Sequence, residues 1–251
     1  QNIEPAIDGS VRRRLEGRTA QERQQFWDEV IVKNTECWWI DGCAAPTVKG
    51  YRVNMEAKKD AVPVAMQPIP LSPYDRLRVQ YHIWEAIALG KMREVDTVKE
   101  GPTEWASPVF VVDQDAKGLL GRMVCACGPV NKQLKTATFP SADVLGAIEI
   151  AAGCEHHTLI DAIWGYTQFE LDEETRKVLT VTHRSGLYEW LRMPFGPAPA
   201  PALMRQYVHE RFSNLKMPGT GKPFCTACMD DVGVSHKTLD EHIVGVQVLF
   251  K

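Results

Sequence analysis

FCTACMDDVGVS, residues 224–235, follows a strand pattern until two adjacent carboxylates, Asp230 and Asp231, interrupt it. Two charges inside an apolar run are expensive to bury without a counter-ion. A tight hairpin that carries the pair at its turn avoids that cost. A divalent cation beside the turn would use the charge, because Mg²⁺ takes hard carboxylate oxygens and completes its octahedron with water and substrate phosphate. An Asp-Asp pair alone reads as a solvated turn, so the apolar flanks are what single this one out. Asp161 repeats the arrangement upstream, closing the run HTLID and followed by AIWGY. Two strand-end carboxylate sites are the minimum for two-metal phosphoryl transfer. Residue pattern does not say whether the two strands are neighbours, so spacing alone makes Asp161, Asp230 and Asp231 a candidate metal site.

Around these ends helices and strands mix. TAQERQQFWDEVIVKN (19–34) has helical periodicity, with Thr19 as N-cap and Glu22 completing a capping box. CWWIDGCAAPT breaks that helix, YRVNME (51–56) alternates as a short strand, and the proline-rich residues 61–73 run extended. The next helix is the best signalled: Ser72 caps it, Pro73 takes the first position, Asp75 reaches back and Gly90 ends it. SPVFVVD (107–113) and RMVCAC (122–127) flank the turn-rich DAKGLLG as a hairpin. Further helices are expected at 141–152, 172–178, 199–213 and from Leu239 to the end, and strands at HHTLID (156–161), 179–183 and 187–191. The order is not that of a parallel doubly wound sheet, so the class is α+β.

A chain of 251 residues, 44% hydrophobic, is long enough to bury one large or two small cores. Its net charge of -3 lacks the basic excess of a free nucleic-acid binder. No run approaches the roughly 18 apolar residues of a membrane span, and no basic-then-apolar signal pattern stands at the N-terminus. Seven cysteines, an odd number beside a good apolar core, read as reduced thiols and an intracellular compartment. Cys225 and Cys228 are spaced C-x-x-C, but positions three apart on a strand face opposite ways, which argues against zinc. Cys154 with His156 and His157 also reads as structural.

One ordered set of segments carries more than any single motif: PLSPYDRLRVQYHIWEAIALGKMREV (70–95), EWASPVFVV (104–112), GRMV (121–124), PVNK (129–132), LIDAIWGYTQFEL (159–171), TVTHRSGLYEWLRMPFGPAPAP (180–201), CMDD (228–231) and SHKTLDEHIVGVQVLF (235–250). In that order the chain resembles a gypsy-type LTR retrotransposon reverse transcriptase from fingers through palm, over residues 49–251, with residues 1–48 as an N-terminal extension. The resemblance implies RNA-directed DNA polymerization with two Mg²⁺ (or Mn²⁺) ions held by Asp161, Asp230 and Asp231. It also implies an RNA template, a DNA primer and a dNTP as partners. Tyr166 matches the aromatic under the incoming sugar that excludes a 2'-hydroxyl, and Arg122 the fingers arginine on the triphosphate. Phe195 and Gly196, with Gly186, Tyr188, Met193 and Pro194, match the nucleotide pocket and template path; Trp105, Ser107 and Pro108 match the entry to the first fingers strand. Without the resemblance, Tyr166 and Phe195 read as core aromatics and Arg122 as a surface strand residue.

Other positions depart from the family pattern. Ala126, Cys127 and Gly128 stand where it has Asp-Tyr-Arg; Gln114 stands near its fingers-tip lysine, with Lys117 as a substitute; Cys228 replaces the tyrosine before the aspartate pair. Pro197, Pro199 and Met204-Arg205 alter the segment after the pocket. The chain is expected to stop before thumb, connection and RNase H. These departures, with the aromatic Trp27, Trp38 and Trp39 of the extension, frame the other reading: a domesticated, inactive palm serving as a scaffold or accessory subunit among protein partners of a larger assembly.

Overall fold

Capping chemistry sets the helix Pro73–Ala88. Ser72 accepts from the backbone N–H of Asp75 at 3.0 Å, Pro73 fills the first turn, and Gly90 leaves it at φ 67°, a left-handed value that glycine adopts without penalty. The computed structural model describes residues 18–38, 44–140 and 144–251. The chain forms two compact units, the first from Gln1–Cys43, Pro140–Ile163 and Arg205–Lys251, the second from Ala44–Phe139 and Trp164–Met204. Strands and helices intermingle in an α+β arrangement.

In the second unit the Pro73–Ala88 helix packs on a mixed five-stranded sheet through its buried Arg78, Val79, Ile83 and Ala86. The strand order is Met92–Glu94, Gly186–Trp190, Val181–His183, Ser107–Val112, Arg122–Cys125. Ser107–Val112 pairs parallel with Val181–His183 and antiparallel with Arg122–Cys125, giving the expected hairpin. Its connection is a 3₁₀ turn, Asp115–Leu120; the side chains of residues 115–117, Lys117 among them, lie outside the described part. YRVNME yields only the two-residue strand Arg52–Val53, parallel to Glu170–Leu171. The Thr175 hydroxyl takes the backbone N–H of Met55 at 2.8 Å, so a side chain replaces the ladder that a longer strand would need.

The first unit is a three-stranded antiparallel sheet, His156–Asp161, Asp231–His236, Cys225–Cys228, covered on one face by the helix Leu239–Leu249 and the helical residues from Ala20. Its core holds Phe26, Val30, Ile31, Phe224, Val232, Val234, Ile243 and Val246. Trp27 and Trp38 pack against that core, and Trp39 lies outside the described residues. The capping box forms as expected, Thr19 Oγ1 accepting from Glu22 N–H and the Glu22 carboxylate accepting from Thr19 N–H. The single helix expected over 19–34 does not persist: Ala20–Phe26 passes into a π turn, Trp27–Ile31, and a 3₁₀ segment, Val32–Cys37. The helical path then breaks at Asn34, whose amide donates to the Val30 carbonyl at 2.7 Å and whose backbone leaves helical angles. Of the helix expected at 141–152, Val144–Ala151 is observed and residues 141–143 lie outside the described part.

Alternation divides the sheet's chemistry between its faces. Val232, Val234, His236, Cys225 and His156 point into the core, while Asp161, Leu159 and His157 are exposed. Three imidazoles are buried there: His156 and His236 are cross-strand partners, and His242 descends from the helix above. His236 Nδ1 and His242 Nδ1 lie 3.3 Å apart, and His242 Nε2 meets Thr158 Oγ1 at 2.7 Å. Gly245 lets the helix come this close, because a Cβ there would sit 2.2 Å from His236 Cε1.

Candidate active site

The carboxylates come together within the first unit. Asp231 and Asp161 are register partners on adjacent antiparallel strands, so their side chains share one face. Asp230 occupies the two-residue turn between Cys228 and Asp231, and its carbonyl accepts from the backbone N–H of Ala162 at 2.8 Å. Met229 opens that turn at φ 58°, a left-handed conformation that hairpin turns usually assign to glycine. Holding a non-glycine residue there costs on the order of 1–3 kcal/mol. The turn therefore stores strain directly beside Asp230.

Like charges placed opposite each other across a ladder are destabilising. A divalent cation between Asp161 and Asp231 removes that repulsion, so the donor set fits Mg²⁺ or Mn²⁺. Among the described residues no three His, Cys, Asp or Glu side chains gather closely enough to make a ready-built cage. Mg²⁺ is ordinarily held by one or two carboxylates plus substrate phosphates, and a pair with a third carboxylate in the adjoining turn meets that need. Cys225 and Cys228 split as their spacing requires, the first buried and the second exposed, and burial pushes the Cys225 thiol up to about 11. His157 Nε2 lies 3.2 Å from the Cys154 carbonyl, a local structural contact.

The second unit gathers Arg122, Tyr166, Phe195 and Gly196. The Tyr166 and Phe195 rings stand 4.7 Å apart at 53°, and the Arg122 guanidinium lies 5.2 Å from the Phe195 ring centre. Tyr166 is buried, whereas Phe195 is 43% exposed. Gly196 has φ +119°, and a Cβ there would press on the Cys125 carbonyl and Cys127 Sγ, each at 3.3 Å. Cys127 is buried with its Sγ 2.8 Å from Cys125 Sγ; that hydrogen bond, with burial, drives its thiol pKa upward.

Two supports of this set escaped sequence reasoning. Asn131 donates to the Gly196 carbonyl at 3.0 Å and accepts from Ala198 N–H at 2.8 Å, clamping the pocket loop with both ends of its amide. The PVNK motif contained it, and loop clamping by an asparagine amide was the readable signal. Lys91, buried, sets its ammonium 3.3 Å from the ring centre of Trp164, which takes a left-handed φ of 51° just before the 3₁₀ turn carrying Tyr166. Nothing local to Lys91 marks that role.

Residues 122–251 match the family model of the reverse transcriptase (RNA-dependent DNA polymerase). The chain belongs to the reverse transcriptase family. Among its curated relatives, the retrovirus-related Pol polyprotein from transposon 297 of Drosophila melanogaster is 28% identical over 189 residues, covering 75% of this chain and 17% of that protein. The enzymatic polyprotein of cauliflower mosaic virus is 23% identical over 246 residues, 94% of this chain and 34% of the relative. This reverse transcriptase chain thus spans about a third or less of these curated relatives. Among solved structures, the prototype foamy virus protease-reverse transcriptase superposes with a TM-score of 0.75 at 20% identity, over 93% of this chain and 29% of that one. The foamy viral enzyme in complex with an RNA/DNA hybrid gives 0.76 at 18% identity, with 93% and 29% coverage. At such identity the likeness speaks for the fold, which is the α+β fold of reverse transcriptase fingers and palm. Among the described residues no helix is long and apolar enough to cross a membrane.

Proposed function

We propose that this chain is the fingers and palm, residues 49–251, of an RNA-directed DNA polymerase from a gypsy-type LTR retrotransposon Pol polyprotein. The observation that carries the reading is the register pairing of Asp161 with Asp231, with Asp230 in the adjoining turn. These three carboxylates would hold two Mg²⁺ or Mn²⁺ ions, which when bound supply charge neutralisation for the attacking and leaving oxygens of nucleotidyl transfer. The pocket residues position the nucleotide. Phe195 presents its exposed face to the dNTP, Arg122 beside it grips the triphosphate, and Tyr166 fills the space a ribose 2'-hydroxyl would need. An RNA template and a DNA primer are the partners, as an RNA/DNA hybrid is for the foamy viral enzyme.

A second reading, a domesticated palm kept as a scaffold, is favoured by Ala126, Cys127 and Gly128 standing where the family pattern has Asp-Tyr-Arg, and by Cys228 two positions before Asp230. Trp27 and Trp38, for which core packing is the simpler expectation, pack partly buried against the core of the first unit and add nothing to this reading. Primer extension on an RNA template with Mg²⁺ or Mn²⁺, paired with Mn²⁺ titration by electron paramagnetic resonance, separates the two. The polymerase reading expects extension and Mn²⁺ binding, both lost in Asp161→Asn. Neither signal in the unaltered chain would sink it.

A further inference from the structure

On the helix Pro73–Ala88 of the second unit, Tyr74, Leu77, Tyr81 and Trp84 are 53%, 71%, 45% and 65% exposed. Steps of three, four and three residues place them on one helix face, away from the buried Val79, Ile83 and Ala86. Leu119 and Leu120, 84% and 40% exposed, extend the patch beside the helix's first half. They are anchored there: the Tyr74 hydroxyl donates to the Leu119 carbonyl at 3.1 Å and Arg78 Nε to the Leu120 carbonyl at 3.2 Å. With aromatic side chains carrying about 150–250 Å² each, the six expose roughly 600–800 Å². The largest apolar patch on a typical monomer is about 300–600 Å².

We propose that this stripe is a homodimer interface in which the helix pairs antiparallel with the same helix of a second copy. Its layout selects that occupant. The four helix positions are symmetric about Val79, so a two-fold axis at that level sets Tyr74 against Trp84 of the second copy and Leu77 against Tyr81, in a self-complementary contact. Every residue of the stripe then meets an apolar partner. The area agrees: burying the whole patch on both copies, Leu119 and Leu120 included, removes at most roughly 1,200–1,600 Å², within the lower half of the standard range for a stable interface. Nucleic acid is a poorer occupant despite the aromatics, because the flanking Asp75, Arg76, Gln80 and Glu85 offer no net positive charge to phosphates.

Sedimentation velocity of the unaltered chain from about 1 to about 100 µM should show a monomer–dimer equilibrium with a micromolar dissociation constant. Leu77→Glu and Tyr81→Lys should each be monomeric, with circular dichroism unchanged and the melting temperature that the unaltered chain shows when diluted to monomer. Mixing the two variants should restore the dimer, because the axis places position 77 against position 81. A chain monomeric at every concentration overturns the proposal. So does a dimer that survives Leu77→Glu combined with Trp84→Glu, or a mixture no more associated than either variant alone.

Discussion

Lowering the pH from 7 to 5 should destabilise the first unit through its buried histidines. Burial, followed by the nearby charges of His236, His156, His157 and Arg18, depresses the His242 pKa to about 3 from its ordinary 6.5. His236 is also depressed, chiefly by burial, with Glu241 opposing the shift and His156 adding to it. A folded-state pKa below the unfolded one means that the unfolded chain binds more protons in acid. The stability is therefore complete above pH 6.5 and is lost as the pH falls toward the folded value. For His242 alone the loss between pH 7 and pH 5 is about 2 kcal/mol, or a melting shift of about 4–8 °C for a chain of this size. The window is diagnostic. The depressed carboxylates Glu22, Glu29 and Asp75 lose their contribution only below their ordinary 4.5 and 3.8, so what they add to stability is still in place at pH 5. Urea denaturation at pH 7 and pH 5, followed by the side-chain NMR signals of Trp27 and Trp38 against that core, measures the effect. His242→Gln, which keeps a polar group near Thr158, should shrink the difference by more than half. Equal stability at both pH values, or a His242→Gln chain that keeps the whole difference, would show that the buried imidazoles do not set the acid sensitivity.

Three further outcomes follow from the geometry. Gly245→Ala should cost about 1–3 kcal/mol in urea denaturation, because its Cβ would press on a buried ring of His236. Met229→Gly should slow amide exchange in the 225–236 hairpin by relieving a strain of about 1 kcal/mol or more, and unchanged exchange would place the strain elsewhere. Asp231→Asn should split two readouts: it removes the charge facing Asp161, so the metal-free chain gains about 0.2–1 kcal/mol, while Mn²⁺ binding falls at least tenfold.

How legible the molecule was depended on how local each signal is. Ser72, Pro73 and Gly90 settle a helix within a few residues of themselves, so Pro73–Ala88 was readable to its ends. The hairpin at Asp230 was readable because two charges cannot sit inside an apolar strand. Its conformation was not, since Met229 is no turn signal. That Asp161 faces Asp231 depends on pairing across a separation of 70 positions, which alternation cannot register; only the ordered resemblance brought the two together. The imidazole cluster stayed hidden for the same reason: His156, His236 and His242 are unremarkable singly and meet only through strand register and a glycine in the helix above. Asn34 shows the opposite failure, a local side chain-to-backbone bond that periodicity averaged away.

The first unit is assembled from three separated stretches of chain, and its core joins Val30 and Ile31 to Val232 and Ile243. On a ribosome adding about 5–20 residues per second, the helical stretch from Ala20 waits on the order of 10–40 s for the strands and helix that bury it. Loop closure over such a span must precede any reward from packing, which makes this the slow-folding part of the chain. Phe26, Val30 and Ile31 stay exposed through that delay, so the step most open to chaperone capture or aggregation falls during synthesis, well before the carboxylates are in place.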